Sequence, residues 1–185
     1  MSGGTRRFRR ALLSGLAFAS FLLATQAPPL AAQGSEPRYL SVLRSELDAM
    51  GAGALCEVLD AGRVRCRFRH LAADGRRVFP VRLLYSDAND TLYVYVPDLA
   101  HVPADDPRAP AVLRRAMELN WRLLSAKLEW NERTGELRMS TLLHTDSNFD
   151  RRAFRNLVSM LLSQVERHAD TLRDLASPRL EPLLD

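Results

Sequence analysis

From Val64 to His70 the chain alternates strictly, with Val64, Cys66 and Phe68 on one side and Arg65, Arg67 and Arg69 on the other. A period of two belongs to a β-strand. A strand with one apolar and one cationic edge belongs in an antiparallel sheet with one dry face and one wet face. The alternation returns in Phe79, Val81, Leu83 and Tyr85, and again in Leu92, Val94 and Val96. Ala73-Asp-Gly75 and Ala88-Asn-Asp90 between them are hairpin-sized and rich in turn formers. Three or four antiparallel strands between about 54 and 98 are therefore expected.

Helical periodicity frames this meander. Tyr39, Leu40, Leu43, Leu47 and Met50 recur at helical spacing after a Ser35 cap and before Gly51. A Pro- and Asp-rich loop, 97–110, leads to a second helix of about 110–125, and 127–143 reads as another hairpin around Glu132-Arg-Thr-Gly135. Ser147 and Asp150 resemble a capping box before a third helix striped by Phe154, Leu157, Val158, Leu161, Val165, Ala169 and Leu172. The order helix, strands, helix, two strands, helix predicts an α+β domain on an antiparallel sheet.

Alternation sends Arg65, Arg67, Arg69, Arg82, Tyr93 and Tyr95 to the outer sheet face, with Arg138 joining if the second hairpin adds to the same sheet. Guanidinium groups beside tyrosine rings can hold acidic or aromatic segments; an antiparallel sheet also needs polar residues on its wet face for solubility alone. The second helix is apolar over more than a ~100° stripe. Met117, Trp121 and Leu124 either face a second subunit or are buried between sheet and loop.

The only cysteines are Cys56 and Cys66. Leu59-Asp-Ala-Gly-Arg63 suits a three-residue hairpin loop with Gly62 left-handed in a G1 bulge. Pairing Leu59 with Arg63 then sets Val58 against Val64, Glu57 against Arg65 and Cys56 against Cys66. A non-hydrogen-bonded site holds such a pair with Cα atoms about 4.5 Å apart, close enough for a disulfide in an oxidising compartment. The bridge would contribute at most roughly 2.5–3 kcal/mol by chain entropy. Two buried thiols are the plain alternative, and a redox pair, which prefers C-x-x-C spacing, is the third.

Residues 5–33 read as an export signal. Arg6, Arg7, Arg9 and Arg10 precede an apolar run from Ala11 to Ala24 that Pro28-Pro29 ends. About 14 residues make a helix of roughly 21 Å, short of the ~30 Å hydrocarbon core. Cleavage is expected near Ala32 or Gly34, the alternative being an uncleaved anchor. Two Arg pairs leave the twin-arginine route open, but Phe8 sits one place too early for its usual pattern, which favours the general secretory route. The division expected is 1–34 signal peptide, 35–176 one α+β domain, and 177–185 a C-terminal tail. The protein would be periplasmic or secreted, touching the membrane only through its export signal. The same arginines explain the net charge of +4: without them acidic and basic residues balance, which disfavours a nucleic-acid-binding domain.

Catalytic constellations do not assemble in the sequence. His70, His101, His144 and His168 lie far apart, His144-Thr-Asp146 is the nearest approach to a metal site, and Asp105-Asp106 reads as a solvated turn. No nucleophile elbow, phosphate loop or dinucleotide turn occurs. No metal, cofactor or catalytic residue is expected.

Leu113 to Asn120, the hairpin Leu128-Glu-Trp-Asn-Glu-Arg-Thr-Gly-Glu-Leu137, and the last helix from Phe149 carry a resemblance. From about Arg38 to Leu175 the chain resembles the YbjN-domain family, whose fold is similar to that of the small type III secretion chaperones. The resemblance implies that fold, no established catalytic residues, and a precedent for helix-mediated dimers. Chaperones of that type mostly act in the cytoplasm, whereas this chain carries an export signal. The expected function is a non-enzymatic protein- or peptide-binding, chaperone- or adaptor-like protein of the cell envelope. The alternative is an exported enzyme or small-ligand-binding protein.

Overall fold

A computed structural model describes residues 36–146 and 148–177. The elements are α1 (Leu40–Ala49), β1 (Leu55–Asp60), β2 (Arg63–Leu71), β3 (Val78–Ser86), β4 (Thr91–His101), α2 (Ala109–Arg122), β5 (Lys127–Trp130), β6 (Glu136–His144) and α3 (Arg151–Ala176). The strands form one antiparallel sheet ordered β1-β2-β3-β4-β6-β5. The α+β class and the element order expected from the sequence are both present. The expected signal peptide and the tail from residue 178 lie outside the described residues. Ser35 is not the cap expected of it, because α1 begins only at Leu40 with Tyr39 at its N-cap and no side-chain cap bond.

The alternating residues build the sheet's dry face. Val64, Cys66, Phe79, Val81, Leu83, Leu92, Val94, Val96, Leu137 and Met139 are fully buried there, joined by Leu43 and Leu47 of α1 and by Phe154, Val158, Val165 and Leu172 of α3. The helices are tied together by charge as well as by apolar packing. Glu46 of α1, only 3% exposed, accepts from Arg151 at 2.6 Å and from Arg155, both on α3. At the other end of α3, Glu166 meets His70 of β2 at 2.6 Å and accepts from the Ala73 amide at 3.1 Å. That carboxylate fastens α3 to the β2–β3 turn.

Several boundaries differ from the expectations, each for a local reason. β4 runs through Pro97 to His101 instead of ending in a loop. The register shifts between Val96 and Ala100, and Asp98 adopts φ 52°, so Pro97 sits in an irregularity where a missing amide donor is tolerated. In the first hairpin Asp60, not Leu59, pairs with Arg63, and Leu59 is the irregular residue. Gly62 is not left-handed; the Asp60 carboxylate instead holds the turn by accepting from the Gly62 amide at 3.2 Å and Arg63 Nε at 2.6 Å. Beyond this shift Cys56 faces Cys66 and the two are joined by a disulfide, with Cα atoms 4.0 Å apart. α2 stops at Arg122, because Lys127 Nζ donates to the carbonyls of Asn120 and Leu123 and completes the helix end. At α3, Asp150 is the N-cap itself and accepts from the Ala153 amide at 2.8 Å. It is not the far member of a box, and Ser147 lies outside the described residues.

Acid should loosen this domain over a narrow range. Three donors in the β2–β3 turn, the Arg76 amide first and then the Arg77 amide and guanidinium, hold the Asp74 carboxyl down at about 2. Arg108 holds Asp106 at about 2 through its side chain and its amide. Arg151 lowers Glu46, and His70 lowers Glu166. Each folded-state pKa lies below its unfolded value near 4, so each carboxylate adds stability that is complete above that value and lost as pH falls through the folded one. The part of the unfolding midpoint that these carboxylates supply should therefore be constant above about pH 5 and be lost between roughly pH 4 and 2. Asp74→Asn should be less stable than wild type at pH 7, and the gap should close near pH 2 in thermal melts. A constant gap across that range would show that ionisation of Asp74 is irrelevant.

Candidate functional site

The wet face of the sheet carries all six residues expected there, but it divides into two halves of different chemistry. In the half formed by β4, β6 and β5, the polar groups satisfy one another. Tyr93 and Tyr95 stack with ring centroids 5.2 Å apart, and the Arg138 guanidinium lies 5.5 and 5.0 Å from them. Glu129 accepts from Arg138 at 2.8 Å, from Ser140 Oγ at 2.7 Å and from the Tyr93 hydroxyl. Burial works to raise the Glu129 pKa, but these three donors outweigh it and keep the carboxylate ionised. Partial burial, reinforced by that carboxylate, pushes Tyr93 up to about 12. Its hydroxyl is committed to Glu129 at any physiological pH.

The half formed by β1, β2 and β3 is different. Arg65 pairs with Glu57, its cross-strand neighbour on β1. Arg67 and Arg82 face each other across β2 and β3, and Arg69 faces Pro80. Among the described residues, Arg67, Arg69 and Arg82 have no carboxylate within ion-pair distance, whereas Arg63 and Arg65 on β2 and Arg138 on β6 each have one. Like charges directly opposite in a sheet repel, so this arrangement opposes folding locally.

These three arginines and Arg65 line a groove of about 700 Å³ together with Leu55, Pro80, Ala52 and Gly53. The segment between α1 and β1 brings Ala52 and Gly53 to it; Leu55, 66% exposed, stands opposite Arg67. Strand alternation identifies the arginines, but Ala52, Gly53, Leu55 and Pro80 lack any sequence signal of a site. They become visible only once β1 is placed beside β2.

The second candidate surface is on α2. Ala109, Val112, Ala116 and Leu119 are buried against the core. Asn120 fixes the helix to β5 by accepting from the Leu128 amide at 2.7 Å and donating to its carbonyl at 3.0 Å. The helix's other side is left uncovered: Met117, Trp121 and Leu124 are 68%, 91% and 95% exposed. Leu124 lies just beyond the helix end, so the apolar patch is one turn of helix plus its exit, not a continuous helical seam.

The remaining titratable groups are scattered. His144 and Asp146 are exposed around buried Thr145, and burial lowers the His168 pKa. Among the described residues no three His, Cys, Asp or Glu side chains gather as a metal site, and no helix is long and apolar enough to cross a membrane.

No curated protein matches the chain. Among solved structures it is similar to YbjN from E. coli, at 15% identity and a TM-score of 0.49, covering 71% of this chain and 92% of that one. It is also similar to a chain in the structure of the HopA1–SchA chaperone–effector complex, at 13% identity and a TM-score of 0.46, covering 71% and 93%. The model of the Tir chaperone protein (CesT) family matches residues 64–169, from the start of β2 to the last turns of α3 and more than half of the chain. This protein belongs to the Tir chaperone protein (CesT) family.

Proposed function

We propose that the protein is an exported, non-enzymatic protein- or peptide-binding protein of the cell envelope, chaperone- or adaptor-like, that receives its partner on the outer sheet face. The observation that carries this reading is the set of outward arginines on β2 and β3 without counter-ions among the described residues. A face built only for solubility gains nothing from Arg67 opposite Arg82, because cross-strand repulsion weakens the sheet. Membership of a chaperone family supports a protein partner. The basic and then apolar amino terminus supports export. Replacing Arg65, Arg67 and Arg69 together by Ser should leave the fold intact, since all three are exposed. Recovery of cross-linked partner from envelope extracts should drop severalfold. Unchanged recovery would reduce these arginines to solubilising groups.

The uncovered apolar patch on α2 supports a homodimer. A side chain as large as Trp121 left 91% in water forgoes most of its burial energy, and a second copy docking on this face would recover it. Trp121→Glu should convert dimer to monomer in analytical ultracentrifugation with the unfolding midpoint of the monomer unchanged. A wild-type monomer at high micromolar concentration would remove the dimer.

A further inference from the structure

We infer that the groove beside β1 takes an extended acidic peptide whose carboxylates alternate along its chain, two residues apart; this rests on the protein-binding reading of the same face. Arg67 and Arg69 are two positions apart on one strand, and Arg82 stands directly across from Arg67. Side chains on one face of a strand repeat about every 6–7 Å. A peptide lying extended over the groove presents its own alternate side chains at that same interval. A Glu-x-Glu or Asp-x-Asp segment therefore meets successive guanidinium groups without rearranging either chain. Each contact can be a bidentate, charge-assisted pair.

The charge state of the groove selects for this ligand. Arg65 already has Glu57, but Arg67, Arg69 and Arg82 bring three positive charges into one groove with no carboxylate within ion-pair distance among the described residues. An incoming pair of carboxylates supplies two of the three missing counter-ions, and one of them set between Arg67 and Arg82 offsets the repulsion of that pair. The rim is apolar where Leu55 and Pro80 stand, each opposite an arginine. A peptide carries methylenes and apolar neighbours that can cover these groups, whereas a bare phosphate or a sulfated sugar leaves them in water.

The test uses purified protein with its disulfide intact and two fluorescein-labelled nonapeptides of identical composition, four Glu, four Ser and one Leu. One has the glutamates at alternate positions and the other has them in a block. Fluorescence anisotropy should show the alternating peptide binding several times more tightly than the block peptide. Binding should weaken as salt rises. Arg67→Ser with Arg82→Ser should weaken it roughly tenfold or more, the loss of at least one charge-assisted contact. The same double variant should unfold at a midpoint equal to or above wild type, because it removes a repulsive pair. Equal affinity for both peptides, or wild-type affinity in the double variant, overturns the inference. So does displacement by polyphosphate or duplex DNA at equal charge, which would make the groove a general anion site. If neutral apolar peptides bind and acidic ones do not, the inference falls while the protein-binding reading stands. If no peptide binds and partner recovery ignores the arginines, both fall.

Discussion

Phe154→Ala is expected to lower the stability of the fold by about 3–5 kcal/mol, the usual cost of emptying a large aromatic site in a core. Phe154 is fully buried near the start of α3. Its ring lies 5.4 Å from Phe149, which lies 5.4 Å from Tyr39, which in turn lies 5.6 Å from Tyr85. This row of four rings joins α3, the segment before it, the entry of α1 and strand β3. Truncation would open a cavity at one end of the row and take away a tilted ring contact worth about 0.5–1.5 kcal/mol. Domains of this size are commonly stable by about 5–15 kcal/mol, so the loss is a large share of the total. Guanidinium denaturation should show the drop with little change in slope. Phe154→Leu, which keeps most of the volume, should cost clearly less. A loss below about 1 kcal/mol for the alanine variant would mean that the rings close over the gap.

Gly135→Ala should rival that effect from a residue of no hydrophobic value. Gly135 closes the β5–β6 hairpin at φ +74°, donates its amide to the Asn131 carbonyl at 2.7 Å and accepts from the Val102 amide at 2.8 Å. A left-handed backbone costs an alanine about 1–2 kcal/mol. Space makes it worse. A Cβ there would stand 2.8 Å from the Pro103 nitrogen and 3.0 Å from its Cα, both backbone atoms that cannot swing aside. Overpacking of this kind adds roughly 1–3 kcal/mol, giving about 2–5 kcal/mol in all. Gly51 supplies the control, at φ +66° with nothing within 4 Å of the added Cβ. Gly51→Ala should cost only the conformational part, about 1–2 kcal/mol. Equal losses at the two positions would show that the Pro103 segment moves away freely.

The exposed apolar patch on α2, the arginine groove and the disulfide hairpin were not equally legible. The facing of Cys56 with Cys66 and of Glu57 with Arg65 follows from counting back along a hairpin, even though the loop itself is built differently. Asp60 closes the turn with its carboxylate, so no left-handed glycine is required. Met117 and Trp121 stand out because the apolar stripe of α2 is wider than one sheet contact uses. The committed state of Tyr93 was hidden, since its partner Glu129 is on β5 and Ser140 and Arg138 are on β6. No local pattern shows which distant hairpin will lie beside β4.

The sequence by itself determined which strands and helices form and, outside the irregular ends of β1 and β4, the direction in which each strand residue points. These follow from periods of two and 3.6 and from turn chemistry, which depend only on near neighbours in the chain. Only the tertiary structure decided that β6 lies between β4 and β5, that Glu46 is buried against Arg151 and Arg155, and that His70 meets Glu166. It also decided which arginines have a counter-ion and which face an open groove. Charge pairing and burial are set by groups tens of residues away, brought within a few ångströms only when the core excludes water and fixes the register of the sheet.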